Sequence, residues 1–125
     1  SYVTTEGFQL EQYLHGPFVA TEKDTTVTFI CPPGHGRDRT IDLIKSVKTV
    51  NGYTVGLVPS GDEEVVSLLD CVLALPDCPD FLSPVVYLIP LQLYTYWLAL
   101  EKGCNPDVFR VNDPSHLAAK SHYIL

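Results

Sequence analysis

The sequence predicts an α/β domain built on a parallel sheet, and three observations carry that expectation. There are three short strand-like runs, TTVTFIC (25–31), YTVGLVP (53–59) and CVLALP (71–76). An amphipathic helical stretch separates the first two, and a shorter one with an acidic head separates the second and third. Strand, helix, strand, helix, strand is the rhythm of parallel strands joined by crossover helices, because parallel neighbours cannot be linked by a tight hairpin.

Each element follows from local chemistry. Residues 8–14 alternate apolar and polar loosely and suit a short helix that stops before Gly16-Pro17. TTVTFIC is β-branched and almost uncharged, lies between Lys23-Asp24 and a Pro-Pro-Gly turn, and reads as a buried strand. In RDRTIDLIKSVKTV (37–50), Ile41, Ile44 and Val47 recur at three-residue steps. Leu43 and Val50 widen that stripe, and Asn51-Gly52 ends the helix. In GDEEVVSLL (61–69), Asp62, Glu63 and Glu64 stand where a helix N-terminus favours negative charge. CVLALP reads as a third buried strand.

The run FLSPVVYLIPLQLYTYWLAL (81–100) holds no charge, and by length alone it could span a bilayer. Pro84 and Pro90 interrupt it, Ser83, Gln92, Thr95 and three tyrosines dilute it, and no basic cluster flanks it to set an orientation. The expectation is therefore a core or subunit-interface helix, largely buried, outside any membrane. Pro84 suits the first turn of such a helix, and Pro90 is expected to kink it.

Composition narrows the function classes. A chain of 125 residues suits one domain, and 46% apolar with 18% charged residues is a composition that buries a core. A net charge of −7 excludes sequence-independent nucleic-acid binding, which needs basic groups to displace counterions. Cys31, Cys71, Cys78 and Cys104 show no CxxC pair and no zinc spacing. They read as reduced structural thiols of a cytoplasmic protein, with Cys31 and Cys71 buried in apolar runs and no metal site. The first residues carry no signal-peptide pattern. The abrupt start at Ser1 and the thin three-stranded sheet suggest part of a longer protein.

A few residues invite chemistry. Gly34-His35-Gly36 lies between a strand and a helix, where it is either a flexible turn or a place for Gly36 or Arg37 to meet a phosphate. His15, in LHGPF, sits at a turn and is either a proton-transfer group or a structural histidine. Lys120, in HLAAKSHYIL, is either a surface lysine or an amine able to form a Schiff base with a carbonyl. His116 and His122 are six apart, share no helix face, and read as ordinary tail residues.

Three stretches together resemble the sugar isomerase (SIS) family, and in particular the C-terminal part of the isomerase half of glutamine–fructose-6-phosphate aminotransferases. Fructosamine-phosphate deglycases and amino-sugar isomerases are similar. The stretches are TEGFQLEQYLHGPFVATEKDTTVTFI (5–30), LIPLQLYTYWLALEKGCNPD (88–107), which is close to the family's IPLQLLAYxxALxKGxxxD, and LAAKS (117–121), similar to LAKS. The resemblance implies a partial SIS domain over residues 1–125, with a Rossmann-like parallel sheet flanked by helices and its upstream SIS portion missing.

It further implies phosphosugar binding and isomerisation on a ketose or aldose 6-phosphate, without a cofactor, in a homodimer. The alternative is a non-catalytic phosphosugar-binding regulatory domain. His15 matches the histidine implicated in opening the sugar ring, working in a neighbouring subunit's site. Lys120 resembles the lysine that forms an imine with the open-chain ketose, and Ala119 stands at the backbone position beside it. The family's catalytic glutamate and phosphate loops fall upstream of Ser1, so the chain alone is expected to be inactive. One departure concerns the tail: VNDPSH (111–116) stands between Arg110 and LAAKS, where in the aminotransferases the arginine runs directly into NLAKS.

Overall fold

A computed structural model describes residues 1–108, 110 and 112–122. The chain forms two compact units, Glu6–Pro90 and a second made of Ser1–Thr5 with Leu91–Leu125.

The first unit holds a three-stranded parallel sheet in the order β1-β2-β3, from β1 (Thr26–Ile30), β2 (Tyr53–Pro59) and β3 (Cys71–Leu75). Thr26 pairs with Tyr53 and Ile30 with Leu57, while Val55 pairs with Cys71 and Pro59 with Leu75. Before the sheet come helix α1 (Leu10–Leu14) and a 3-10 turn (Pro17–Ala20). The crossovers are α2 (Arg37–Thr49) and α3 (Glu63–Leu68). The α2 stripe is as the periodicity requires: Ile41, Leu43, Ile44 and Val47 are buried with Phe29, Cys31, Val58 and Val65. Thr40 joins them by donating its hydroxyl to Gly36 O at 2.9 Å.

The end of α2 is a Schellman motif. Asn51 takes a left-handed φ of 63°, its amide reaches Lys48 O at 3.0 Å, and the Gly52 amide reaches Val47 O at 3.0 Å. Asp62 caps α3 by accepting from the Val65 amide at 3.2 Å.

The expected burial of the strands holds for β2 alone, where Thr54 to Pro59 are all buried. In β1, Thr26, Thr28 and Ile30 are exposed, and in β3 only Leu75 is buried, which corrects the reading of both as buried strands. The reason is position: both are edge strands of a narrow sheet, whereas β2 has a neighbour on each side. Cys31, just past the end of β1, is buried in the core cluster under α2, whereas Cys71, at the start of β3, is exposed, which corrects the reading of Cys71 as buried. All four cysteines are free.

A 3-10 turn (Asp80–Leu82) leads into α4 (Ser83–Glu101), helical as expected and continuous through Pro90. Pro84 occupies its first turn. Its burial is the larger correction: only Ser83, Tyr87 and Ala99 are buried, and Val85, Ile89, Leu93 and Trp97 stand more than half exposed. A helix apolar on every face needs partners on every side, and this chain is too small to surround it. By length and hydropathy residues 80–101 form a helix long and apolar enough to cross a membrane.

The second unit continues from α4. Gly103, at φ 65°, and Cys104, whose amide reaches Ala99 O at 2.8 Å, close the helix in a second Schellman motif. A short helix, α5 (Pro114–Ala119), and a 3-10 turn (Lys120–His122) follow.

Candidate functional site

His15 is the residue that ends α1, and the structure shows why the chain turns there. Its amide completes the helix by reaching Glu11 O at 3.0 Å, the Gly16 amide reaches Tyr13 O at 3.3 Å, and Pro17 opens the next turn. The turn is braced by aromatic packing of Tyr13 on Phe8 and Phe18, each with ring centroids 6.2 Å apart. The Tyr13 hydroxyl also bonds Thr21 Oγ1 at 2.5 Å. A rigid turn thus presents an imidazole whose side chain is 77% exposed.

Glu11 lies one helical turn before His15, with Oε2 3.5 Å from His15 Nε2. Arg39 of α2 grips the same carboxylate with two bonds, Nε to Oε1 at 2.5 Å and the terminal nitrogen to Oε2 at 3.0 Å. That guanidinium holds the Glu11 carboxyl below the ordinary carboxylate range. The pair therefore ties α1 to α2 beside the histidine. Leu10, Leu14, Arg39, Asp42, Leu43 and Ser46 line a dimple of about 20 Å³ between the two helices, room for about one water molecule and too little for a hexose phosphate.

The turn after β1 carries Gly36 and Arg37, the candidate phosphate contacts. Arg37 is already engaged there: Nε reaches Asp62 Oδ2 at 2.6 Å, and the terminal nitrogen reaches Asp62 Oδ1 and Glu64 Oε2, both at 2.7 Å. Three carboxylates, counting Asp38 at 3.2 Å, surround this one cation. It works as a clamp between the loops after β1 and β2 and is not poised for an anion.

Lys120 and Ala119 belong to the second unit, both exposed, at the end of α5. His15 belongs to the first. The sequence reading missed what surrounds His116. Asp113 caps α5 through Oδ1, which accepts from the amides of Ser115 at 2.9 Å and His116 at 3.2 Å. Its Oδ2 lies 3.1 Å from His116 Nδ1, and Arg110 approaches His116 Nε2 at 3.4 Å. The signal was present in Asp-Pro-Ser-His, a capping aspartate followed by proline at the first helical position and a histidine three residues on. Glu11 was likewise legible, as a carboxylate four residues before His15.

A three-stranded parallel sheet with helical crossovers, led by a helix that ends on a His-Gly-Pro turn, is an α/β portion of SIS type. The comparisons place it more closely. The chain is 32% identical over 108 residues to the glutamine–fructose-6-phosphate aminotransferase of Methanothermobacter thermautotrophicus, which is 86% of this chain and 18% of that protein. It is 34% identical over 107 residues to the enzyme of the same name from Pyrococcus horikoshii, again 86% of this chain and 18% of the relative. The C-terminal domain of glucosamine-fructose-6-phosphate aminotransferase from Francisella tularensis superposes with a TM-score of 0.76 at 30% identity, over 83% of this chain and 30% of that one. No protein-family model matches. The chain is thus homologous to the isomerase part of glutamine–fructose-6-phosphate aminotransferases and shares the α/β fold of their C-terminal SIS domain. It spans less than a fifth of the length of the curated relatives it matches.

Proposed function

We propose that the chain serves as the C-terminal SIS portion of a longer polypeptide that binds a ketose or aldose 6-phosphate and moves a proton between C1 and C2. The observation that carries this reading is the His-Gly-Pro turn: it holds an exposed imidazole beside a fixed carboxylate, in a chain homologous to the isomerase part of an aminotransferase. In this reading His15 opens the sugar ring, giving a proton to the ring oxygen while the anomeric hydroxyl loses one. Lys120 forms the imine with the exposed carbonyl, and the Ala119 backbone lies beside it. The proton-shuttling carboxylate and the phosphate cradle come from the upstream portion. The polypeptide works as a cytoplasmic homodimer, and the bare apolar surface of α4 supports the need for a covering partner.

The test compares the 125-residue chain with a polypeptide extended by the upstream SIS portion, using fructose 6-phosphate. The chain alone is expected to be inactive and the longer polypeptide active. There, His15→Ala should slow a ring-closed substrate more than an open-chain analogue, and Lys120→Ala should abolish borohydride trapping. Trapping that survives Lys120→Ala would assign the imine to another amine. A longer polypeptide that binds fructose 6-phosphate without turning it over would favour the second reading, a non-catalytic phosphosugar-binding domain.

A further inference from the structure

Both ring nitrogens of His116 have partners of known polarity. Arg110 approaches Nε2 at 3.4 Å, and a guanidinium only donates, so Nε2 carries the lone pair. The proton assigned by that network then sits on Nδ1, 3.1 Å from Asp113 Oδ2. Asp113 is itself held: Oδ1 accepts two amides at the start of α5, and Arg110 Nε lies 3.4 Å from Oδ2. Those amides and the imidazole keep its carboxyl below the ordinary range, the His116 amide foremost, so it is an anion at neutral pH. An imidazole with one nitrogen on a carboxylate and the other facing an N–H donor at 3.4 Å has the partners of a general base.

Lys120 lies one turn further along the same helix. Its backbone is helical and its amide reaches back to the His116 carbonyl, so the two side chains leave the same face, with Cβ atoms about 5–6 Å apart. His116 Nε2 faces one cationic N–H donor, and Lys120 carries a second group of the same chemistry four residues on. The histidine side chain is half exposed.

We propose, resting on the reading of Lys120 as the imine-forming amine, that His116 is its base. Nε2 takes one proton from the Lys120 ammonium, and the free amine attacks the carbonyl carbon of an open-chain sugar phosphate. The amine's second proton passes to solvent, and the carbonyl oxygen takes one from solvent, giving a neutral carbinolamine. The imidazolium then returns its proton to the carbinolamine hydroxyl, which leaves as water while the nitrogen lone pair forms the iminium. The balance is one ammonium and one carbonyl in, one iminium and one water out, with His116 returned to its starting state. VNDPSH, the insertion that lengthens the tail, would thereby supply Lys120 with Asp113 and His116.

The test uses the 125-residue chain and glycolaldehyde phosphate, an open-chain carbonyl that needs no ring opening, with borohydride reduction and peptide mass spectrometry. The chain's other lysines, Lys23, Lys45, Lys48 and Lys102, serve as internal references. Lys120 should react about tenfold faster than they do, and His116→Ala should remove that advantage. Added imidazole should restore it, which a histidine that merely pins the first turn of α5 would not allow. Asp113→Asn keeps the helix cap, since asparagine caps as well as aspartate, and should slow Lys120 without loss of helix. A Lys120 no faster than the reference lysines, or a His116→Ala rate unchanged or unmoved by imidazole, would overturn the role of His116. The imine reading of Lys120 stands or falls separately, on borohydride trapping in the longer polypeptide.

Discussion

Asp70 offers the sharpest test of how the first unit is held together. It stands between α3 and β3, and its Oδ2 accepts both the amide and the hydroxyl of Thr54, each at 2.8 Å. Thr54 is fully buried in the central strand. The other oxygen, Oδ1, takes the Lys48 ammonium of α2 at 2.6 Å. One carboxylate thus joins the central strand, the α2 crossover and the entry to β3. These donors, Lys48 first and then the Thr54 amide and hydroxyl, depress its pKa from 3.8 to about 2. At about 1.4 kcal/mol per pH unit the full shift would amount to roughly 2–3 kcal/mol. The side chain is 30% exposed, and solvent screening reduces that to about 1 kcal/mol.

Asp70→Asn keeps an acceptor for Thr54 and loses the charge, so it should destabilise by about 1 kcal/mol at pH 7. Asp70→Ala strands two donors of a buried threonine and should destabilise by about 2–4 kcal/mol. The folded-state pKa lies below the unfolded one, so the unfolded chain binds more protons between pH 2 and 4. The stabilisation is therefore complete above about pH 4 and is lost as pH falls toward 2. Urea denaturation of wild type and Asp70→Asn at pH 7, 5, 4 and 3 measures the difference. An Asn variant as stable as wild type at pH 7, or a gap that does not narrow between pH 5 and 3, would refute the reasoning.

Two further outcomes are expected. Gly56→Ala should destabilise by about 1–3 kcal/mol in the same assay, because the new Cβ would drive into the Leu69 side chain, with Cδ2 at 3.1 Å and Cγ at 3.2 Å. Among the thiols, Cys71 should react with a disulfide reagent in the native state. Cys31, 2% exposed and with its thiol pushed up by burial, should react only on unfolding, as mass mapping of the labelled sites would show.

Local patterns made most of the first unit readable. The step of three in Ile41, Ile44 and Val47 fixes one face of α2, Asn51-Gly52 dictates its end, and Asp62 marks the start of α3, all consequences of backbone geometry within a few residues. The motif around His15 was legible for the same reason, since Gly16-Pro17 must break the helix. Burial was not legible in this way. TTVTFIC and CVLALP look like buried strands but lie at sheet edges, and a run of residues cannot say how many neighbours its strand will have. The charge-free helix could be read as helix from its own residues, yet its exposure depends on what surrounds it.

By itself, then, the sequence determined the order of elements, their caps and the family likeness, because those rest on short-range sterics and on motifs contiguous in the chain. Only the tertiary structure decided which groups meet. Arg37 reaches Asp62 across 25 residues and Arg39 reaches Glu11 across 28, committing two cations that the sequence left free. His116 looked like a tail residue until Asp113 and Arg110 converged on its two nitrogens. Pairings of this kind follow from the path of the chain in space, and spacing along the sequence carries little of that information.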